Sequence, residues 1–252
     1  MIKKQFVFII LILFFCGALL FPETLEEVLA KNYQSRGGLE KLKTIKTMKI
    51  EGKMVMTMQN MEIPMTMWIK KPNKMRMEAT FMEKKIVTAY DGQKGWMINP
   101  MMGSEDPQEL PEDRSKEMTR QADSIFPLVD YKEKGHQLEY LGKEDMEGTE
   151  VYRLRMTITD DKVLHFYLDT ETGIELKIST YTKVRDKEIL VETLMGDYKE
   201  VDGIMIPFSM EVKVAGRDQG QKITFTSFKQ NVTLEDSFFQ MPPKKAPQKE
   251  KK

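Results

Sequence analysis

Residues 54–69 read MVMTMQNMEIPMTMWI. Methionine holds every second position, pauses at Gln59-Asn60, and resumes on the far side. Period-two alternation puts one set of side chains on one face of an extended strand. The stretch is therefore restricted to a hairpin with a thioether face. Ten of the chain's 21 methionines fall between Met48 and Met82, so this face is a feature of a whole region.

The same period organises most of the chain. Met48, Ile50, Met54, Met56 and Met58 share a face, and Met61, Ile63, Met65, Met67 and Ile69 share one on the return strand. Pro72-Asn73 turns the chain again, and Met75, Met77, Ala79 and Phe81 follow. Ile86 to Tyr90, the turn Asp91-Gly92 and Trp96 to Asn99 continue the meander. Strands resume at Leu138 to Asp145. In Val151 to Thr159, Tyr152, Leu154, Met156 and Ile158 oppose Arg153 and Arg155. Further strands run over Val163 to Asp169, Ile174 to Lys183, Glu188 to Lys199, Ile204 to Val214 and Lys222 to Gln230. Pro207 marks an edge or a bulge. The count is about eleven strands, mainly β, in one wide antiparallel sheet that must close or curl. Its apolar face looks inward.

Two segments break the pattern and are available to cover the concave side. Glu23 to Gln34 carries Leu25, Val28, Leu29 and Tyr33 at helical spacing, and Gly37-Gly38 ends it. LEKLKTI adds a second helical turn before the first strand. The segment from Pro107 onward has only a loose stripe of Leu110, Met118, Ala122 and Ile125, followed by a loop with Phe126, Leu128 and Val129 beside Pro127. A connection this long within a meander suits a lid, and Met118, Phe126, Leu128 and Val129 are its candidate residues. Phe126 to Val129 is expected to form a moving plug or a tip that touches a membrane.

Stiff branched residues specify a single packing, whereas methionine is unbranched, polarizable and adaptable. A core filler is one reading of the methionines. A pliable apolar cavity is the other, and the lipid-sized wall predicted for it is Met48, Ile50, Met54, Met56, Met58 and Ile63 with Met65, Met67, Met75, Met77, Phe81 and Trp96. A Cu(I) site is a third reading, because soft thioethers select that ion. Met54, Met56 and Met58 would lie about 6–7 Å apart along a strand, which is awkward for one ion. Neither His136 nor His165 is near them in sequence.

No nucleophile elbow, zinc-protease helix or phosphate-cradling glycine loop is present. His165 alternates away from Leu164 and Phe166 and reads as an outward strand residue beside Tyr167 and Asp169. Asn231-Val232-Thr233 matches a glycosylation sequon only weakly. No enzyme activity and no cofactor or metal is expected.

Residues 1–18 read as a signal peptide: a cationic lead, an apolar run beginning at Phe6, and small residues up to Ala18. A lipid-modified Cys16 or an uncleaved anchor is a weaker reading. Removal would take the single cysteine, leaving a chain stabilised by burial alone. Residues 19–243 then form one domain, and 244–252, KKAPQKEKK, a disordered lysine-rich tail. The body without that tail is net acidic, which argues against nucleic-acid binding.

Particular motifs add a family resemblance. MWIKKPNKMRME supplies Trp68, Lys70, Lys71, Pro72 and Asn73. YDGQKGWMINPMM supplies Asp91, Gly92, Trp96, Asn99 and Pro100. FFQMPP closes the chain at 238–243, and Gly37-Gly38 with Leu42 opens it. Together these resemble the LolA-type periplasmic lipoprotein carriers, the outer-membrane lipoprotein-sorting proteins. The resemblance implies an unclosed antiparallel β-barrel of about eleven strands with helices over the concave mouth (LolA/LolB-like). It further implies a monomeric periplasmic chaperone that binds the acyl chains of lipoproteins or other lipids. An inner-membrane transporter would load it and an outer-membrane acceptor would unload it. An envelope lipid sensor on the same fold, or a Cu(I)-binding periplasmic protein, is the alternative. The family holds its lid with an arginine on an early strand, whereas residues 47–58 offer Lys49 and Lys53 and no arginine.

Overall fold

The computed structural model describes residues 23–56, 61–112, 114–115, 118, 126–160, 162–184, 187–217 and 220–244. The side chains of Met56 and Val184 are not among what is described. Two helices lead, α1 (Leu25–Ser35) and α2 (Leu39–Thr44). Six strands follow: β1 (Thr47–Met56), β2 (Met61–Lys70), β3 (Lys74–Phe81), β4 (Lys84–Tyr90), β5 (Gly95–Asn99) and β6 (Ser104–Glu109). Seven more complete the sheet: β7 (Gln137–Met146), β8 (Thr149–Thr159), β9 (Lys162–Asp169), β10 (Glu175–Val184), β11 (Lys187–Val201), β12 (Ile204–Val214) and β13 (Gln221–Gln230).

These strands form one 13-stranded sheet in the order β6-β5-β4-β3-β2-β1-β13-β12-β11-β10-β9-β8-β7. Every pair is antiparallel. The first strand zips to the last, and β6 and β7 remain as edges that do not pair, so the barrel is unclosed. The expected architecture holds with more strands than the expected eleven. β6, SEDPQE, has no apolar alternation to betray it. Its acidic residues and Pro107 suit an edge, because charge and proline discourage further pairing. β7 is blunted by an irregularity between Tyr140 and Lys143, where Gly142 takes a φ of 99°. Pro207 sits where β12 and β13 have parted, since the two pair only over Ser209–Val212 and Gln221–Thr224.

Helix α1 starts where its sequence says it should. Thr24 accepts a hydrogen bond from the Glu27 amide, and the Glu27 carboxylate accepts one from the Thr24 amide. This reciprocal cap satisfies two orphan donors. Gly37, at φ 107°, does more than stop the helix. A Cβ there would run into the Gly203 carbonyl, so the helix end lies directly on the β11–β12 turn.

Two cores share the concave side. One joins α2, β1–β4, β12 and β13 around Leu42, Met48, Ile50, Met75 and Ile204. The other joins α1 to β7–β9 around Val28, Leu29, Leu154, Phe166 and Leu168. The turn at 126–135 spans both. Phe126 and Val129 belong to the first core, and Leu128 and Tyr131 to the second.

The convex face carries a third, smaller assembly. Lys49, Trp68, Arg76, Ala89 and Trp96 form one cross-strand row over β1 to β5. The C-terminal 3-10 turn Asp236–Phe239 lies on it. Trp96 Nε1 donates to the Phe239 carbonyl at 2.7 Å, and Trp68 meets Phe238 edge-on at 5.2 Å. Arg76 lies 4.6 Å from the Phe238 ring and donates to the Phe238 carbonyl. Trp96 therefore faces away from the methionines, which corrects its assignment to the cavity wall. On a five-residue strand either face can point inward, and the indole N–H finds its acceptor only on the convex side.

Candidate functional site

Directly opposed residues of antiparallel strands share a face, so the register sorts the concave surface into rows. Met48, Ile69, Met75 and Tyr90 form one row across β1–β4. All four are buried, beneath α2 and its surroundings. Ile63, Met54, Ile223, Met210 and Met195 form another row across β2, β1, β13, β12 and β11. All five are only half-buried. Between them, Ile50 opposes Met67, and Met67 opposes Met77. Ile50 is buried while the two methionines are half-exposed. The concave face is thus buried at the helix end and only half-buried, and apolar, toward the β1–β2 and β12–β13 ends of its strands.

The same gradient runs through the other half of the sheet. On β8, Tyr152, Leu154 and Met156 are buried and Ile158 is not. On β9, Phe166 and Leu168 are at 0% exposure while Leu164 is half-exposed.

The predicted wall residues therefore separate. Met48, Ile50, Met65 and Met75 are buried in the packed floor. Met54, Ile63, Met67, Met77 and Phe81 line the half-open stretch. Met56 has a backbone partner, Met61, but no described side chain, and Met58 lies outside the described residues. Met54, the member of the Met-x-Met-x-Met stretch that is described, is flanked on its face by Ile63 and Ile223, which carry no donor atom for an ion. Among the described residues no cluster of three or more His, Cys, Asp or Glu could hold a metal.

The predicted lid residues Met118, Phe126, Leu128 and Val129 are all buried. Phe126 to Val129 thus forms a plug beneath the helices, where the sequence also allowed an exposed membrane-touching tip. Three polar contacts fix it. Tyr33 donates its hydroxyl to the Leu128 carbonyl at 2.8 Å, and burial pushes that phenol up to about 12, so it stays a donor. Lys43 bridges to Asp130 at 3.1 Å. Lys134 donates to the Val129 carbonyl at 2.7 Å.

Arg36, the C-cap of α1, is the hub that the sequence did not disclose. It is buried and pairs with buried Glu175 of β10 at 2.5 Å. Its Nε donates to the Met205 carbonyl on β12 at 2.7 Å, and its guanidinium lies 5.1 Å from the Phe126 ring and 5.6 Å from that of Tyr198. Tyr198 donates to the Glu175 carbonyl, and burial raises its pKa strongly. One side chain thereby ties α1, β10, β12 and the plug. An arginine one residue past a helix reads as solvated, and only the adjacent Gly37-Gly38 stop hinted at a tightly packed helix end.

His165 points to the convex face as expected, opposite Arg155 and Ser179. Burial lowers its pKa, and Arg153 and Arg155 lower it further. The arginines around this imidazole pair in turn with Glu144 and Glu139.

No family model matches the sequence, and no curated protein resembles it significantly. Solved structures do resemble it in fold. A LolA superfamily protein from Nitrosomonas europaea aligns at TM-score 0.60 and 12% identity, covering 86% of this chain and 98% of that one. A DUF1329 family protein from Desulfovibrio piger aligns at 0.57 and 16% identity, covering 84% and 97%. A domain assigned to outer-membrane lipoprotein sorting in Vibrio parahaemolyticus aligns at 0.56 and 10% identity, covering 84% and 94%. Identities this low establish the fold alone, and that fold is LolA-like. Among the described residues no helix is long and apolar enough to cross a membrane.

Proposed function

We propose that this LolA-like protein is a non-enzymatic periplasmic carrier. It takes hydrocarbon chains, those of lipoproteins or of other lipids, into the methionine trough and delivers them toward the outer membrane. The observation that supports this most is the half-open row Ile63–Met54–Ile223–Met210–Met195, set against the fully buried row Met48–Ile69–Met75–Tyr90. An apolar surface that stays partly in water inside a curved sheet invites an apolar occupant. In this reading residues 1–18 direct export and are removed, residues 19–243 are the carrier domain, and 244–252 are a lysine-rich tail. A loading transporter and an outer-membrane acceptor are its partners, and it works as a monomer.

Burying hydrocarbon releases about 0.8 kcal/mol per methylene. Three chains of about sixteen carbons would release more than ~30 kcal/mol, whereas non-covalent affinity saturates near ~18–21 kcal/mol. A carrier that captured all of it would never let go. Reversibility calls for partial burial and for a competitor within the protein. The plug at Phe126–Val129, already packed into the floor, fits that role. Methionine suits both states, because one unbranched thioether can pack against the plug or against lipid.

Lipid extraction and native mass spectrometry of the purified protein test the reading. Co-purifying lipid, or saturable binding of a fluorescent fatty acid, is the expected result. A lipid-free protein that also ignores the fatty acid would overturn it.

A further inference from the structure

The methionines fall into three classes of exposure. Met48, Met65, Met75, Met118 and Met156 are buried, none above 7% exposure. Met82, Met101, Met102 and Met241 are exposed at 45% or more, in turns and near the C-terminus. Met54, Met67, Met77, Met195 and Met210 are intermediate and lie on the half-buried rows described above, while Met61, Met97, Met146 and Met205 are intermediate outside those rows. A wall of leucine would be chemically inert. A wall of thioethers within reach of solvent is not, since methionine oxidises to a polar sulfoxide and reductases reverse the change.

A second observation sits at Met54. The Gln221 side-chain amide lies against the Met54 sulfur. Gln221 shares the concave face with Ile223, two residues away on β13. A thioether is a weak acceptor. A sulfoxide oxygen at the same place would be a strong one, with a donor already beside it.

We propose that Met54, Met67, Met77, Met195 and Met210 form a redox-sensitive modification site that switches the trough from apolar to polar. This rests on the carrier reading. A peroxide transfers one oxygen atom to each sulfur. The sulfur loses two electrons and becomes a sulfoxide, the O–O bond breaks, and the peroxide leaves as water. Reduction by a dithiol-fed methionine sulfoxide reductase returns that oxygen as water and restores the thioether. In the oxidised state hydrocarbon must lie against sulfoxide dipoles it cannot satisfy, and burying a polar group without a partner is unfavourable. Lipid affinity therefore falls under peroxide stress and recovers on repair.

The test uses the purified full-length protein, hydrogen peroxide, peptide-level mass spectrometry and a fluorescent long-chain fatty acid. Met82, Met101, Met102 and Met241 should oxidise first, with binding unchanged. Oxidation of the five trough methionines should then weaken binding by roughly tenfold or more, without loss of β-sheet circular dichroism, and reductase treatment should restore it. Replacing the five trough methionines with leucine should remove peroxide sensitivity, judged against that variant's own untreated affinity. Replacing the four exposed ones should leave the sensitivity intact. Sulfoxides in the trough with unchanged affinity would overturn the switch while leaving the carrier standing. Peroxide sensitivity that survives the trough substitutions would do the same. Failure of the untreated protein to bind the fatty acid would overturn the carrier reading itself.

Discussion

The two halves of the concave face solve the same problem with different side chains. In β7–β9 the inward positions are Leu138, Leu154, Phe166 and Leu168, pressed onto Val28 and Leu29 of α1. In β1–β3 they are mostly methionine, with α2 and Phe126 over one end and half-buried side chains at the other. Branched and aromatic residues hold one arrangement, and thioether chains tolerate several. The comparison teaches that softness is local. One half is a fixed wall to which α1 is anchored, and the other is faced with side chains that tolerate more than one packing.

The largest expected effect breaks this comparison most directly. Phe166→Ala in the fixed half should cost about 3–5 kcal/mol in urea unfolding, from lost transfer energy plus the cavity left behind. Met77→Ala in the soft half removes a side chain that is already half in water, and should cost about 1 kcal/mol. Equal costs would mean that both halves are packed alike. Next comes the link between the halves. Glu175→Gln leaves the Arg36 guanidinium buried without its counter-charge, and breaking a buried pair costs about 3 kcal/mol or more. If the pair only holds α1, stability alone should fall. If it also holds the plug over the floor, fatty-acid uptake by the folded protein should speed up, which stopped-flow fluorescence can measure.

Much of this arrangement was legible in the sequence. Period two placed Met54, Ile63, Met67 and Met77 on one face correctly because β1, β2 and β3 are long, and a one-residue slip would turn every side chain outward. Gly37-Gly38 ended α1 where expected. Trp96 was misplaced because β5 has only five residues, and alternation defines two faces without saying which is concave. β6 was unreadable because an edge strand needs no apolar face. Arg36 was hidden for another reason. Its partners Glu175, Met205, Phe126 and Tyr198 are remote in sequence, and only the fold brings them to one point. Which methionines stay open was likewise invisible, since that depends on how far the helices and plug reach along each strand.

A smaller effect sharpens the assignment of the soft half. Met67→Glu places a carboxylate on the trough beside Met77 and Ile50. Fatty-acid binding should weaken ten- to a hundredfold, roughly the penalty of desolvating a polar group against hydrocarbon, with the unfolding midpoint little changed. The matching change on the convex face, Thr66→Glu, should leave binding as it is, since Thr66 opposes Glu51 and Glu78 there. Equal losses from both variants would show that face does not matter and would remove the trough from the account.

The smallest effect concerns the convex strap and works as a control on both halves. Asp236 accepts from Lys70 at 2.7 Å and Lys74 at 2.9 Å, and these two lysines hold its carboxyl down at about 2 from an ordinary 3.8. A carboxyl depressed by folding stabilises the fold above its ordinary pKa, and that contribution is lost as pH falls through the folded value. The strap should therefore loosen between about pH 4 and 2 and be indifferent to pH above that range. Both tryptophans of the chain, Trp68 and Trp96, contact this turn, so intrinsic fluorescence reports its release. Asp236→Asn should abolish that acid transition and leave fatty-acid binding at neutral pH untouched, because the strap and the trough lie on opposite faces of the sheet. A binding defect in that variant would mean that the convex row transmits to the methionines through the strands, and the separation of the two faces would fail.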